Sequence, residues 1–475
     1  MGDGESARER GAILEGCRRQ PSRVRVGASR APRRAALLID RVLVMDKGVV
    51  ALAVQVRLPR LHSIDTSGIA LLRSQLLRWL GVEPSVVCRQ LLPASTASHP
   101  ASHCSPSSTL PLEPITMRLF DPGRLGLLTS PNRIIMAPLG RARADPLSRE
   151  PLPRAETYYT QRASAGLIVS EATHVSPHSV SRPGGAAIHT TGQSQAWRRV
   201  TDAVHGAGGR IFQQLFHLGR KADPGRLPGG ALPVAPSAIA ARGEVATPDG
   251  MRPFPVPRTL AIDEIAGLVD EFRHAGSLSD EAGFDGVEVH AANGYLIDQF
   301  LRDGANQRTD EYGGPVANRA RFLLEVVDAL IEVLGAARVG VRLSPHFTVD
   351  GIADTDPAAL YAHVAEQLQA RDVAYLHLIE PDSVAPADRL APLLRQRYTG
   401  PLILCGGFSA ESAADALAAG RADFIAFGQL FIANPDLVER LRRSGPYNAP
   451  DAESFYVGGD QGYIDYPFLP PQALA

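Results

Sequence analysis

The chain of 475 residues carries 49 Lys+Arg against 50 Asp+Glu, a formal net charge of -1, with 44% hydrophobic and 21% charged residues. That balance is ordinary for a globular protein, and no apolar run approaches the roughly 18 residues that span a bilayer. The charge is uneven, with 16 Lys+Arg against 9 Asp+Glu in residues 1–116 and 33 against 41 beyond. The larger part is therefore mildly acidic and lacks the clustered positive charge of a nucleic-acid surface.

Residues 1–35 are Arg-rich but contain Asp3, Glu5, Glu9 and Glu15 and have no apolar core, so they make a poor transit peptide and no secretory signal. Strand-like runs around Arg41–Gly48 are similar to the closing strand-turn of ABC-type ATPase domains, yet no G-x-x-x-x-G-K-[ST] phosphate loop accompanies them. His62–Gly68 is similar to part of a STAS interaction domain. Pro93–Pro114 is Ser-, Ala- and Pro-rich, a composition that buries no core and reads as a linker. Cys17, Cys88, Cys104 and Cys405 show no paired spacing, which points to a reducing, cytoplasmic setting without a disulfide framework. Cys405 reads as a small buried filler, and Cys88 with His99, His103 and Cys104 matches no zinc spacing. Residues 1–116 form an extension, either an appendage, an interaction module or sequence upstream of a start at Met117. Residues 117–475 form the main domain.

From Met117 onward, short β-branched runs alternate with helical patterns, which predicts a parallel sheet. Strands are expected at Ile134–Pro138, Leu167–Glu171, Ile211–Leu215, Val287–His290, Val339–Leu343, Tyr375–Ile379, Leu402–Cys405 and Phe424–Phe427. Ile265, Leu268, Val269 and Phe272, like Leu323, Val326, Val327 and Leu330, recur at i, i+3, i+4 and i+7, the stripe of a helix that covers a sheet. Eight strands with covering helices predict a (β/α)8 barrel. Two long excursions, His217–Arg258 and Gly294–Ala317, leave the carboxyl ends of strands, where such barrels keep their chemistry.

Three polar groups stand there together: His290 ends a strand, and Asn293 and Tyr295 follow on its turn. A strand-end His or a turn Asn alone is better read as a residue with local bonds. Their joint spacing favours a site that polarises and protonates a carbonyl compound. Gly406-Gly407 and Gly428-Gln429 leave backbone N–H groups unobstructed after the last two strands, an arrangement that holds a phosphate in such barrels, although tight turns alone also use glycine.

The stretch Val287–Leu296, continued through Leu301 and Asn306–Gly314, resembles the old yellow enzyme family of FMN-dependent ene-reductases, closest to its N-ethylmaleimide reductase and oxophytodienoate reductase branch. The resemblance runs from Arg118 to Pro467. It implies that FMN is bound by Ala137, Pro138, Leu139, Ala172, Gln214, Arg342 and the two glycine turns, and that NADPH or NADH is the reductant. It further implies that His290 and Asn293 clamp the oxygen of an enone or nitro substrate, that Tyr295 protonates the α-carbon, and that Phe216 and Tyr456 line the pocket. Arg342, a permanent cation at a strand end, suits the negative charge that gathers near N1 of the flavin. Three residues depart from the family pattern: Gly140 replaces a Thr or Cys that bonds the flavin, Gln429 replaces a phosphate-binding Arg, and Arg182 stands where a pocket Tyr is common. A monomer or homodimer is expected. Lys221 is the only lysine after residue 116 and stands in a loop, so Schiff-base chemistry is excluded. No His pair marks the first strand for a metal. The competing reading is a flavin-binding barrel without turnover.

Overall fold

The computed structural model describes residues 41–46, 49–55, 117–180, 182–247 and 250–470. The STAS-like stretch, the linker and the Cys88–Cys104 cluster lie outside them. The chain divides into two units, Met1–Ala101 and Ser102–Ala475. In the first, Arg41–Asp46 and Val49–Gln55 pair antiparallel, which matches the strand-turn read from the sequence.

The second unit is built on eight parallel strands: β1 (Ile134–Met136), β2 (Leu167–Val169), β3 (Ile211–Phe216), β4 (Gly286–Ala291), β5 (Val339–Leu343), β6 (Tyr375–Ile379), β7 (Leu402–Cys405) and β8 (Phe424–Phe427). Each pairs with the next, β8 pairs with β1, and β3 pairs with β4, so the sheet closes. Closure gives each of the eight barrel strands a partner on both sides. Strand β1 ends two residues earlier than expected because Pro138 has no N–H for the ladder; the last bond on that side runs from Ala137 N to Phe427 O at 3.0 Å.

Two cores result from the alternation of each strand. Ile135, Leu167, Val169, Phe212, Tyr375, Ile403 and Phe424 fill the barrel, and Leu125 from the hairpin Gly123–Leu125/Leu128–Ser130 packs with them. Gly340 in β5 leaves room for the Tyr375 ring, which a Cβ there would overlap. The outer core lies between strands and helices. Helices α1 (Arg154–Thr160), α2 (Thr191–Gly206), α3 (Ile262–Glu281), α4 (Val316–Leu334), α5 (Pro357–Gln369), α6 (Ala391–Arg397), α7 (Ala410–Ala418) and α8 (Leu437–Arg442) supply it. The two predicted stripes are the buried faces of α3 and α4, where truncating a core residue such as Phe272 to Ala typically costs about 3–5 kcal/mol.

The excursion after β3 is not featureless. It holds three 3-10 turns and a small antiparallel hairpin, Glu244–Thr247 with Gly250–Pro253. The excursion after β4 begins with a short helix, Leu296–Leu301.

Candidate active site

The inward face of the barrel turns polar toward the carboxyl ends of its strands. Glu288 in β4 stands in register with Gln214 in β3 and Gly340 in β5. Its carboxylate accepts from Gln214 Nε2 at 2.7 Å, Tyr375 OH at 3.1 Å and His377 Nδ1 at 2.8 Å. Burial works to raise its pKa, but His377 and Arg342 outweigh it and hold the carboxyl below its ordinary range. Glu288 thus stays ionised and fixes the Gln214 amide.

One layer higher, His290 stands in register with Arg342. Burial first, then Arg342, His377 and Lys221, hold the His290 imidazole well below its usual pKa, so the ring is neutral. Arg342 Nη2 reaches Cys405 Sγ at 3.7 Å. Cys405 is therefore not a mere filler but part of the same inward cluster, with burial raising its thiol pKa. His290 Nδ1, Arg342 Nε and His377 Nε2 are buried without a hydrogen-bond partner among the described residues. Orphaned polar atoms of this kind are rare in a finished core and mark a place for a ligand.

The turn after β4 carries the other two groups. Asn293 adopts a left-handed φ of 58°, and its backbone N–H donates to Ser344 Oγ at 2.7 Å. Tyr295 then precedes the helix Leu296–Leu301, and its ring lies edge-on to His290 at 4.9 Å and to Phe216 at 5.3 Å. Phe216 in turn packs on His174 at 4.5 Å, and Ala172 lies against the same small cluster. His290, Phe216 and Tyr295 thus lie together.

Around this centre, Pro138, Leu139, Ala172, Gly406 and Gly428 are partly exposed, while Gly140, Gly407 and Gln429 are open. Gly407 has a φ of 85°, and a Cβ there meets nothing within 4 Å. Gly428 caps a short helix that begins at Gln429, whose first backbone N–H groups have no partner within the helix. The unpartnered donors below, the open glycine turns at the side and the small apolar rim fit a planar heterocycle carrying a phosphate, as FMN does. Among the described residues no group of His, Cys, Asp or Glu could hold a metal ion.

Tyr456, on the carboxyl-terminal segment, is 53% exposed and lies under the Arg182 guanidinium at 4.7 Å. The departure at Arg182 thereby gains a partner in Tyr456. What ties that segment to the barrel was not apparent in the sequence. Arg143, from the loop after β1, donates to the carbonyls of Ser454 at 2.7 Å, Phe455 at 3.1 Å, Val457 at 2.6 Å and Gly459 at 3.1 Å. Arg141 adds Gly462 O at 2.7 Å. Behind them, buried Glu171 has its pKa pushed up to about 7 by burial, with Arg141 and Arg143 opposing. Glu171, Glu288, His377, Arg141 and Arg143 all escape sequence reasoning; only a charged residue between apolar strand neighbours, as in Val287-Glu288-Val289, was a signal.

The fold and this mouth define a cofactor-binding (β/α)8 oxidoreductase. The profile of the NADH:flavin oxidoreductase / NADH oxidase family matches residues 118–448, and the chain belongs to that family. It is 43% identical over 343 residues to a probable flavin mononucleotide-dependent alkene reductase of Leishmania infantum, covering 71% of this chain and 94% of the relative. It is 41% identical over 374 residues to 12-oxophytodienoate reductase 7 of Oryza sativa subsp. japonica, covering 74% and 94%. Among solved structures, morphinone reductase superposes with a TM-score of 0.71 at 47% identity, over 74% of this chain and 96% of that one. A structure of morphinone reductase in complex with tetrahydroNAD matches equally, at 48% identity.

Proposed function

We propose that this protein reduces the activated C=C bond of α,β-unsaturated carbonyl and nitro compounds with electrons from NADPH or NADH, using noncovalently held FMN. The observation that carries the reading is the meeting of His290 and Tyr295 beside Arg342, whose buried Nε has no partner among the described residues, with Asn293 on the turn between His290 and Tyr295. FMN held here would supply two-electron hydride chemistry between a nicotinamide and an alkene.

The residues supply the rest. Gln214, held by Glu288, and Arg342 would hold the polar edge of the ring system, while Gly406, Gly407, Gly428 and Gln429 would offer backbone N–H groups to the phosphate. Ala137, Pro138, Leu139 and Ala172 give it an apolar wall. His290, kept neutral, and the Asn293 carboxamide donate hydrogen bonds to the substrate oxygen, which gains negative charge as hydride arrives. Donors aimed at developing charge contribute about 2.7–4 kcal/mol each in well-studied sites. The Tyr295 phenol delivers a proton to the α-carbon, completing addition of H⁻ and H⁺ across the double bond. Phe216 and Tyr456 bound the pocket. The four cysteines without paired spacing fit a cytoplasmic setting.

The test is turnover of cyclohexenone by the FMN-loaded protein with each nicotinamide. The His290→Ala, Asn293→Ala double variant is expected to lose at least about a hundredfold in rate. An undiminished rate overturns the clamp.

A further inference from the structure

Beyond its charge, which helps keep His290 neutral, Lys221 has no role assigned so far, yet it is the only lysine beyond residue 116 and it stands at the site. It ends the 3-10 turn Gly219–Lys221 that follows β3, and its side chain is only 15% exposed. The ammonium pairs with the Asp350 carboxylate, which the turn Val349–Gly351 after β5 presents. It also donates to the Asn293 carbonyl at 3.4 Å. The same nitrogen lies 4.8 Å from the centre of the Tyr295 ring and 5.8 Å from that of Phe347. One cation thus joins the turns after β3, β4 and β5.

Those turns need holding. Asn293 and Asp350 have φ values of 58° and 64°, in the left-handed region that non-glycine residues adopt at a cost. Asp350 is anchored on the far side, where its carbonyl accepts from Arg242 N at 2.9 Å and Arg220 Nη2 at 3.2 Å. Asn293 is held at its N–H by Ser344, and at its carbonyl Lys221 is the donor. A flexible neutral side chain at 221 would leave that carbonyl, and one face of the Tyr295 ring, without the contact.

We propose that Lys221, aimed and neutralised by Asp350, is a positioning residue that keeps the Asn293 carboxamide and the Tyr295 phenol directed at one substrate. This rests on the roles given to Asn293 and Tyr295 above. Lys221 acts through its contacts with those two residues.

The experiment uses FMN-loaded protein and the substitutions Lys221→Met, Lys221→Arg and Asp350→Asn. Two quantities are read: the Kd of para-chlorophenol, followed by flavin absorbance, and kcat for cyclohexenone. A phenol oxygen can accept the hydrogen bonds that His290 and Asn293 would give a substrate oxygen, so its affinity is read as a report of clamp geometry without turnover. Lys221→Met is expected to weaken phenol binding and lower kcat by about tenfold each, the scale of a sub-ångström displacement. FMN content should stay unchanged, and Lys221→Arg, which keeps a cation able to donate to Asn293 O, should recover most of both. If Lys221→Met does not fold, Asp350→Asn carries the same expectation at about threefold, since the ammonium stays but is no longer aimed. Phenol affinity and kcat within twofold of the parent, in either variant, overturn the proposal. A parent protein that binds phenol but fails to reduce cyclohexenone overturns the ene-reductase reading instead, so the two failures are distinguishable.

Discussion

The buried carboxyl of Glu171 makes stability depend on pH in a direction that can be worked out. Glu171 follows β2, is 5% exposed, and lies beside the Tyr159 hydroxyl and the Arg141 backbone N–H. Burial raises its pKa from 4.5 to about 7, against the pull of Arg141 and Arg143. A carboxyl whose folded pKa lies above its unfolded value contributes stability that is fully present below the unfolded pKa and is lost as pH rises through the folded one. The window is therefore pH 4.5 to 7, and the full change corresponds to about 3 kcal/mol. At about 2 °C per kcal/mol for a large domain, that is roughly 6 °C in Tm.

Glu171→Gln keeps shape and hydrogen-bonding capacity but cannot ionise. Thermal unfolding followed by circular dichroism from pH 4.5 to 8, for the parent and this variant, isolates the effect because every other titrating group is common to both. The variant should gain on the parent steadily across the window, by roughly 6 °C in the difference between the two midpoints. Parallel curves would mean that Glu171 is already ionised at pH 5 and that the buried Arg141–Glu171 cluster is differently charged.

Gln429→Arg should raise FMN retention through dilution by about tenfold, because a guanidinium fork adds a charge-assisted contact to the phosphate; unchanged retention would place the phosphate elsewhere. Gly407→Val forces a β-branched residue to a φ of 85°, which costs about 1–3 kcal/mol, and fills the open space beside the turn. The expected outcome is loss of bound FMN with an unaltered far-UV spectrum, and full yellow protein would refute the cradle. Tyr295→Phe should slow reoxidation of the protein by cyclohexenone by about 10²-fold or more while its reduction by NADPH stays nearly unchanged. Equal slowing of both half-reactions in stopped flow would reduce Tyr295 to a wall of the pocket.

The barrel was legible because each buried strand is a short β-branched run and each covering helix keeps its apolar stripe. The strand positions follow the sequence expectation to within two residues at every end. His290 and Tyr295 were legible for the same reason, since one strand and one turn carry both. What escaped depends on pairing across long separations. Lys221 meets Asp350 across 129 positions, and Arg143 meets the 454–461 segment across more than 300. No local periodicity encodes such contacts, and a loop lysine or arginine reads as solvated surface. Glu288 is an intermediate case: it interrupts an apolar strand, but its three donors come from two other strands, β3 and β6, and only closure of the barrel unites them.

The most direct test of the account is an anaerobic titration of the purified protein, watched at the flavin absorbance band. NADPH or NADH should bleach a yellow protein, and cyclohexenone added afterwards should restore the band with formation of one cyclohexanone per flavin; in the His290→Ala, Asn293→Ala variant that recovery should be slowed by at least about a hundredfold. A colourless protein that takes up no FMN, or a bleached band that oxygen restores and cyclohexenone does not, would contradict it.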